Sequence, residues 1–564
     1  METVEIPIFS PVYKGIGEEE LRDQNHVAEN CYYDANGVLK TRPGVRPLWY
    51  QRYANTKTVQ VIGYWPNKRM MMTAVEWDSY GDPMGQPHDY AVYGMLYDAG
   101  FANADYIIND DNTYDANETS DWDVQYIGDY TGTAGMRNSV LYWPTALDLY
   151  GQPITYTYNE DDFFFASGKN IFRFNYESAE WYEVADTDAP TNVSHLGFID
   201  TYIMAFEKDT DQFYWSDITP EEGTTHSWNA LSFASSGGSP DLIQGAIIFE
   251  REIFIFGQNT VEIWEDDGVA PFSRVPGGLR ETGCSAPWAI ATNTDYVFFF
   301  NHNRKFCAMN GRKIEQMDTA YDTEWAAYSK TQWERTRMYR IFLEGQEYMM
   351  IMLEDKHLLF NVKTSHITEF LSSSFTNKNE AVTQYGVGEQ APPVYNSYAY
   401  DPGYNKHVLE FRKSVPVEEN TGNAAYGSML QLDPAWQKDS YHTWNIGAGN
   451  AVGHVDWPIQ VRLRTGHLDY GTHKMKRSNQ IRLRLKRGFA DLGSTPQFLV
   501  RWRDDGASEW KNWHELSLGD EGESELTVRL HRTGSYRTRQ YEFLCNAEVQ
   551  LVFINAEEDI EVLR

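Results

Sequence analysis

Five apolar hairpins recur through the middle of this chain, and their rhythm limits the fold more than any other feature. Residues 163–165 suit pairing with 171–174, 202–206 with 213–216, and 253–256 with 261–264. Two more follow, 296–300 with 305–309 and 348–353 with 357–362. Their first residues, Phe163, Tyr202, Ile253, Tyr296 and Tyr348, are separated by 39, 51, 43 and 52 positions. Those intervals fit one four-stranded propeller blade each, with loops of variable length. A sandwich also uses many short strands, but five units in a row without helices favour radial repetition. The expected fold is all-β, a β-propeller. Helix signals are confined to 18–25 and to a turn or two within 317–330.

Two stretches break the rhythm. No Lys or Arg falls between Arg69 and Arg137, whereas 13 Asp and Glu do. Residues 70–136 therefore read as an acidic, tyrosine-rich insertion, with Asp110, Asp111, Asp115, Asp121 and Asp123 at its centre. Near 455 the texture changes to strict alternation. Ile481, Leu483 and Leu485 face one way, and Arg482, Arg484 and Lys486 the other, as on a half-buried strand. The expected layout is an N-terminal segment 1–69 joining the propeller, the insertion 70–136, blades over 137–455, and a C-terminal β-sandwich-like domain over 456–564.

A chain of 564 residues exceeds the usual single-core limit. Its longest apolar runs fall far short of a membrane helix, and the N-terminal METVEIPIFSP lacks the pattern of a signal peptide. Cys31, Cys284, Cys307 and Cys545 stand far apart with no Cys-x-x-Cys pair, which suits buried thiols and neither a disulfide framework nor a metal site. The net charge of −33 resides wholly before Asp456, where 31 basic residues face 64 acidic ones. Groove binding to nucleic acid needs the opposite sign. Solubility, or a salty habitat, is the plainer use of such acidity.

Motifs for chemistry do not assemble. No Gly-x-Ser-x-Gly elbow, His-Glu-x-x-His helix or EF-hand loop is present. Ser167-Gly168-Lys169 resembles the end of a phosphate loop, but Phe163 occupies the first glycine position and Asn170 replaces Ser/Thr. Gly447, Gly449 and Gly453 miss the dinucleotide spacing by one residue. Acid pairs suited to glycoside hydrolysis exist around Glu262, Glu265, Asp266 and Asp267, although 81 acidic residues place pairs together by chance. No cofactor is expected. The one alternative is Ca²⁺ in the run 105–123, whose spacing is irregular and without a loop glycine. The basic face formed by Arg462, Arg464, Lys474, Lys476, Arg477, Arg482, Arg484, Lys486 and Arg487 reads as a subunit interface matched to acids of a neighbouring copy, ahead of contact with nucleic acid or lipopolysaccharide.

Two segments carry a family resemblance. One is NCYYDANGVLKTRPG at 30–44, and the other is 253–316, with a Gly257-Gln258-Asn259 turn and a Pro-Gly-Gly connection between Arg274 and Arg280. RTGHLDYGTHKMKR at 464–477 adds to them. Together they resemble the packaged-DNA-stabilisation or tail-nozzle proteins of short-tailed bacteriophages. The resemblance rests on Asn30, Tyr32, Gly37, Leu39, Arg42, Pro43 and Gly44, then Phe256, Gly257, Val261, Glu262, Pro276, Gly277, Gly278 and Gly283, all scaffold positions. It implies a structural virion protein, not an enzyme, made in the host cytoplasm and built into the tail. It further implies a homohexameric ring below portal and adaptor, in contact with fibre or needle proteins and, during ejection, with the host outer membrane. Such a ring retains packaged double-stranded DNA and then conducts it without specific binding. A propeller glycosidase or depolymerase, or a receptor-binding tail module, are the rival readings.

Overall fold

The computed structural model describes residues 2–6, 27–50, 56–78, 88–97, 122–129, 154–372 and 394–563, the last two stretches with interruptions. Among the described residues, seven four-stranded antiparallel blades follow one another round a ring. Blade one comprises Thr56–Trp65, Met70–Asp78, His88–Tyr97 and Trp122–Asp129. Blades two to five begin at Thr155–Tyr158, Val193–Ile199, Ile243–Phe249 and Ala291–Thr292. Blade six runs from Arg337–Leu343 to Ile367–Ser372, and blade seven opens with Val394–Asp401. The first strand of blade seven packs against Thr56–Trp65 of blade one, so the ring is closed.

Closure depends on a strand from the start of the chain. Gly44–Tyr50 pairs with Ser428–Asp433 and forms the outer strand of blade seven. Chain order would otherwise leave that blade with three strands and an open edge. The five hairpins expected from the sequence are the second and third strands of blades two to six. These strands are buried on both faces, which is why they read as unbroken apolar runs and not as alternation. Phe163, Phe164 and Phe165 are all buried, and Phe298 stacks on Phe306 and meets Phe360 edge-on at the blade five–six boundary.

The stretch 70–136 is not an insertion. It supplies three of the four strands of blade one, in antiparallel register interrupted by bulges. Its long acidic connections hid the strands, because they spread one blade over 74 residues from Thr56 to Asp129. Residues 110, 111 and 115, and the rest of the proposed Ca²⁺ run before Trp122, lie outside the described residues, as does the expected helix at 18–25. Within 317–330 the expected turns appear as Asp322–Ala326, and a second helix, Lys330–Arg335, starts at a Ser329–Gln332 capping box.

The C-terminal region is a sandwich, and it is not built from 456–564 alone. One sheet carries Lys476–Arg487, Glu525–Tyr536 and Leu551–Val562, and is joined by Glu2–Glu5, Cys31–Tyr33 and Leu39–Thr41. The facing sheet carries Val461–Arg464, Gln497–Asp504, His514–Ser517 and Arg539–Cys545. Ile481, Leu483 and Leu485 meet Phe498, Val500 and Phe543 between them. Val27–Glu29 pairs antiparallel with Val461–Arg464 and parallel with Ile367–Ser372 of blade six. Sandwich and propeller therefore share one continuous nine-stranded sheet.

Candidate functional site

The N-terminal motif folds into a knot where propeller and sandwich meet. Asn30 adopts φ 58, a left-handed conformation that Asn tolerates better than most residues. Its amide Nδ2 donates to the Gln460 carbonyl at 2.9 Å, and its backbone N–H donates to the Glu369 carbonyl at 2.6 Å. Arg42, 1% exposed, donates from Nε to Asn30 Oδ1 at 2.9 Å. Its two Nη atoms fork onto Asp439 at 2.8 and 2.5 Å. Asp439 also accepts the N–H of Val45 in the closing strand. One guanidinium thus ties the hairpin 31–41, the closing strand of blade seven and the strand Lys438–Asn445 together.

Next to this knot, charges cross the shared sheet. Glu29 faces Glu369 in the parallel register, and Arg462 pairs with Glu29, its Nε 2.9 Å from Oε2. Lys356 lies 3.4 Å from Glu369 and 2.7 Å from Glu324. Burial outweighs Lys356, and Glu29 adds repulsion, so the Glu369 carboxyl is pushed up to about 7. An acid whose folded pKa is raised stabilises the fold below its unfolded value, and that contribution is lost as pH rises towards the folded one. Replacing Glu369 with Gln should therefore leave the protein gaining melting temperature relative to wild type from pH 5 to pH 8. A difference that stays constant with pH would count against this. His195 and His407, both buried and lowered to about 4, act with the opposite sign and lose stability below about pH 6.5 in either protein.

The Pro-Gly-Gly segment proves to be a bulge within the outer strand of blade four, not a connection. Glu262 pairs with Leu279 and Trp264 with Arg274, so Val275, Pro276, Gly277 and Gly278 crowd opposite Ile263. Gly277 has φ +71 with open space around its Cα, whereas a Cβ on Gly278 would come within 2.9 Å of the Val275 carbonyl and 3.0 Å of that of Ile263. Gly277→Ala should cost about 1 kcal/mol through backbone strain alone. Gly278→Val should cost more, about 2–3 kcal/mol, because backbone must move. Denaturant midpoints test the order. Arg280 secures the bulge, donating from Nη1 to the Gly277 carbonyl at 2.9 Å, and binds the Arg312 carbonyl of blade five through Nε at 2.6 Å. Arg274 is 3.8 Å from the buried Glu262, which accepts from Gly238 N and Trp264 Nε1. Glu262 is thus occupied structurally.

The basic face is largely matched inside the chain. Besides Arg462, Arg464 pairs with Glu542 at 2.6 Å, Arg482 with Asp559 at 3.0 Å and Glu557 at 3.2 Å, and Lys486 with Glu525 at 3.0 Å. Lys476 is buried with its ammonium donating to the carbonyls of Thr472, Lys474 and Arg537, and Arg487 donates to those of Leu518 and Gly519. Lys474, Arg477 and Arg484 stay exposed. On the facing sheet Arg464, Arg501 and Arg503 lie over the Trp510 ring, and Arg501 also over Trp513 at 4.2 Å. Trp510 and Trp513 follow the Asp505-Gly506 turn.

One connection packs against the first strands of several blades. From the blade four–five connection, Pro287 and Trp288 reach inward. His195 of blade three stacks on Trp288 at 4.4 Å and bonds the Pro287 carbonyl at 3.1 Å. Met338 N of blade six donates to the Trp288 carbonyl, and a Cβ on Gly245 of blade four would come within 2.8 Å of the Pro287 oxygen. The first strands of blades three, four and six thus hold one connection. All four cysteines are buried and free, and among the described residues no group of His, Cys, Asp or Glu could hold a metal. Among them, too, no helix is long and apolar enough to cross a membrane.

Residues 102–379 match a family model described as Bacteriophage P22 Gp10, beta-propeller. No curated protein matches the chain. Among solved structures it is similar to the N-terminal domain of Nup159, at 6% identity and a TM-score of 0.38, covering 72% of this chain and 98% of that one. It is also similar to a chain of the mitotic checkpoint complex, at 10% identity and 0.35, covering 69% and 94%. The Myceliophteria thermophila Cps50 (Swd1) beta-propeller domain gives 10% and 0.29, covering 55% and 89%. Likenesses this loose add nothing to the seven-blade assignment, which stands on strand order.

Proposed function

We propose that this chain, residues 102–379 of which match the family model of P22 Gp10, is a structural component of a phage tail and, more narrowly, the nozzle of a short-tailed phage, a ring below portal and adaptor that retains packaged DNA and conducts it at ejection. The observation that carries the finer reading is the connection held among the first strands of the blades. Pro287 and Trp288 lie against blades three, four and six, which favours a conduit enclosed between copies over one through a single propeller. The surplus of acid before Asp456 suits the wall of such a conduit. Each Lys or Arg there would add a phosphate contact with counterion release, whereas carboxylates repel phosphate over only about 8 Å at 0.15 M salt. A duplex is then centred without being held.

Particles assembled without this chain are expected to fill with DNA and then lose it. Nuclease-sensitive DNA in lysates measures that loss, and full retention of the genome without the chain would overturn the reading. The isolated protein should show negligible affinity for duplex DNA even at low salt. Tight binding would mean that the acidity serves solubility and not passage.

A further inference from the structure

Among the described residues, six large apolar side chains are exposed, and apart from Phe198 they fall in two places. Leu231, 83% exposed, with Phe233 and Leu242, stands on blade three and the connection leaving it. Ile554 and Val562 stand on the last strand of the sandwich. An exposed leucine by itself is ordinary, but each of these spots has a charged rim, and the two rims have opposite signs.

On blade three the rim is acidic. Asp188, exposed, accepts the N–H of Ala230 at 3.2 Å, and Asp186 accepts that of Trp228 at 2.9 Å. The outer strand Trp228–Ser235 carries no charge of its own. It bulges at 229–232, opposite Trp215, and so lifts Leu231 clear of the sheet. On the sandwich the rim is arginine. Arg484 pairs with Asn555 and Leu485 with Phe553, which leaves Ile554 as a bulge beside Arg484. Arg529 lies opposite Arg482 on the edge strand Glu525–Tyr536. Arg484 and Arg529 are exposed, and neither forms an ion pair among the described residues. Arg484 belongs to the basic face and stays unmatched where Arg462, Arg464 and Arg482 are paired within the chain, and Arg529 on the neighbouring strand extends it.

We propose that these two places are the halves of one contact between copies of this chain: the Leu231–Phe233 knob of one copy seats against Ile554, Arg484 and Arg529 of the next. This rests on the ring reading above and names its surfaces. Apolar centre would meet apolar centre, and carboxylates would meet unmatched guanidiniums, as an interface core and rim require. Like surfaces could not pair with themselves, because acid would face acid, so the contact is heterologous and propagates from copy to copy until it closes. The fold places the halves suitably. The sandwich is anchored at blade six, three blades from blade three, the largest separation a ring of seven allows.

The test uses two full-length variants, Leu231→Glu and the double variant Arg484→Glu/Arg529→Glu, with mass measured over a range of concentrations. Both sites are exposed, so melting should stay at the wild-type value. Each variant alone should associate at least tenfold more weakly than wild type. Mixed in equal amounts they should form dimers and no larger species, because the mixture retains one intact knob and one intact arginine surface. Wild-type association by both variants, or a mixture no larger than its parts, overturns these surfaces and leaves the ring reading standing. A wild-type chain that is monomeric in solution and present as a single copy in isolated tails overturns both.

Discussion

Arg42→Ala should destabilise the protein by about 3–5 kcal/mol, the usual cost of stripping one partner from a buried ion pair. The guanidinium is 1% exposed and satisfies Asn30 Oδ1, the Pro43 carbonyl and both oxygens of Asp439. Without it the Asp439 carboxylate retains the Val45 N–H and loses its charge partner. The damage should be local before it is global. Gly44–Tyr50 closes the propeller, so hydrogen exchange should rise first in that strand and in Ser428–Asp433. Arg42→Lys preserves the charge but not the fork, and should fall between alanine and wild type. Arg42→Met combined with Asp439→Leu should recover much of the loss, since a buried pair can be replaced by apolar groups at little cost. Wild-type urea midpoints for Arg42→Ala would show that the knot is dispensable.

That knot also marks the limit of what the sequence discloses. Asn30, Arg42 and Gly44 stand out in the primary structure, but Asp439 lies 397 positions after Arg42 and has no local signal that singles it out. The same holds for the ring closure, where a strand from the first fifty residues completes the last blade. Periodicity reports what neighbours along the chain do, so the five central hairpins were legible. Blade one was not, because its acidic connections stretch the interval and mimic an insertion. The basic face was read correctly as a strand surface, since Ile481, Leu483 and Leu485 are buried and Arg484 and Lys486 exposed. What alternation could not supply was the register that brings Glu557 and Asp559 beside Arg482. Charge partners across a sheet depend on that register, and register is set by pairing far along the chain.

Asp241→Ala should cost about 4 kcal/mol, for a related reason. The Gly257–Asn259 turn in blade four is evident as a hairpin, yet its backbone is held by a carboxylate from the preceding connection. Asp241, 7% exposed, accepts the N–H groups of Gln258 at 2.9 Å, Asn259 at 2.7 Å and Thr260 at 2.8 Å, and the Thr260 hydroxyl at 2.9 Å. Bonds to a charged acceptor contribute about 1.5–3 kcal/mol each, and donors left bare in a buried turn forfeit their hydration as well. The turn has little room to reorganise. A Cβ on Gly257 would come within 2.4 Å of the Asp241 carboxylate, and one on Gly283 within 2.0 Å of the Gln258 oxygen. Cys284 N donates to the Gly257 carbonyl from the far side, so the connection to blade five depends on the same geometry. Asp241→Asn leaves one acceptor oxygen in place and should lose about half as much as alanine. The order wild type, Asn, Ala in denaturant midpoint, with exchange rising at 258–260 before the rest of blade four, is the expected result. Equal midpoints for the two variants would mean that Asp241 acts through its charge alone and not as the acceptor that shapes the turn.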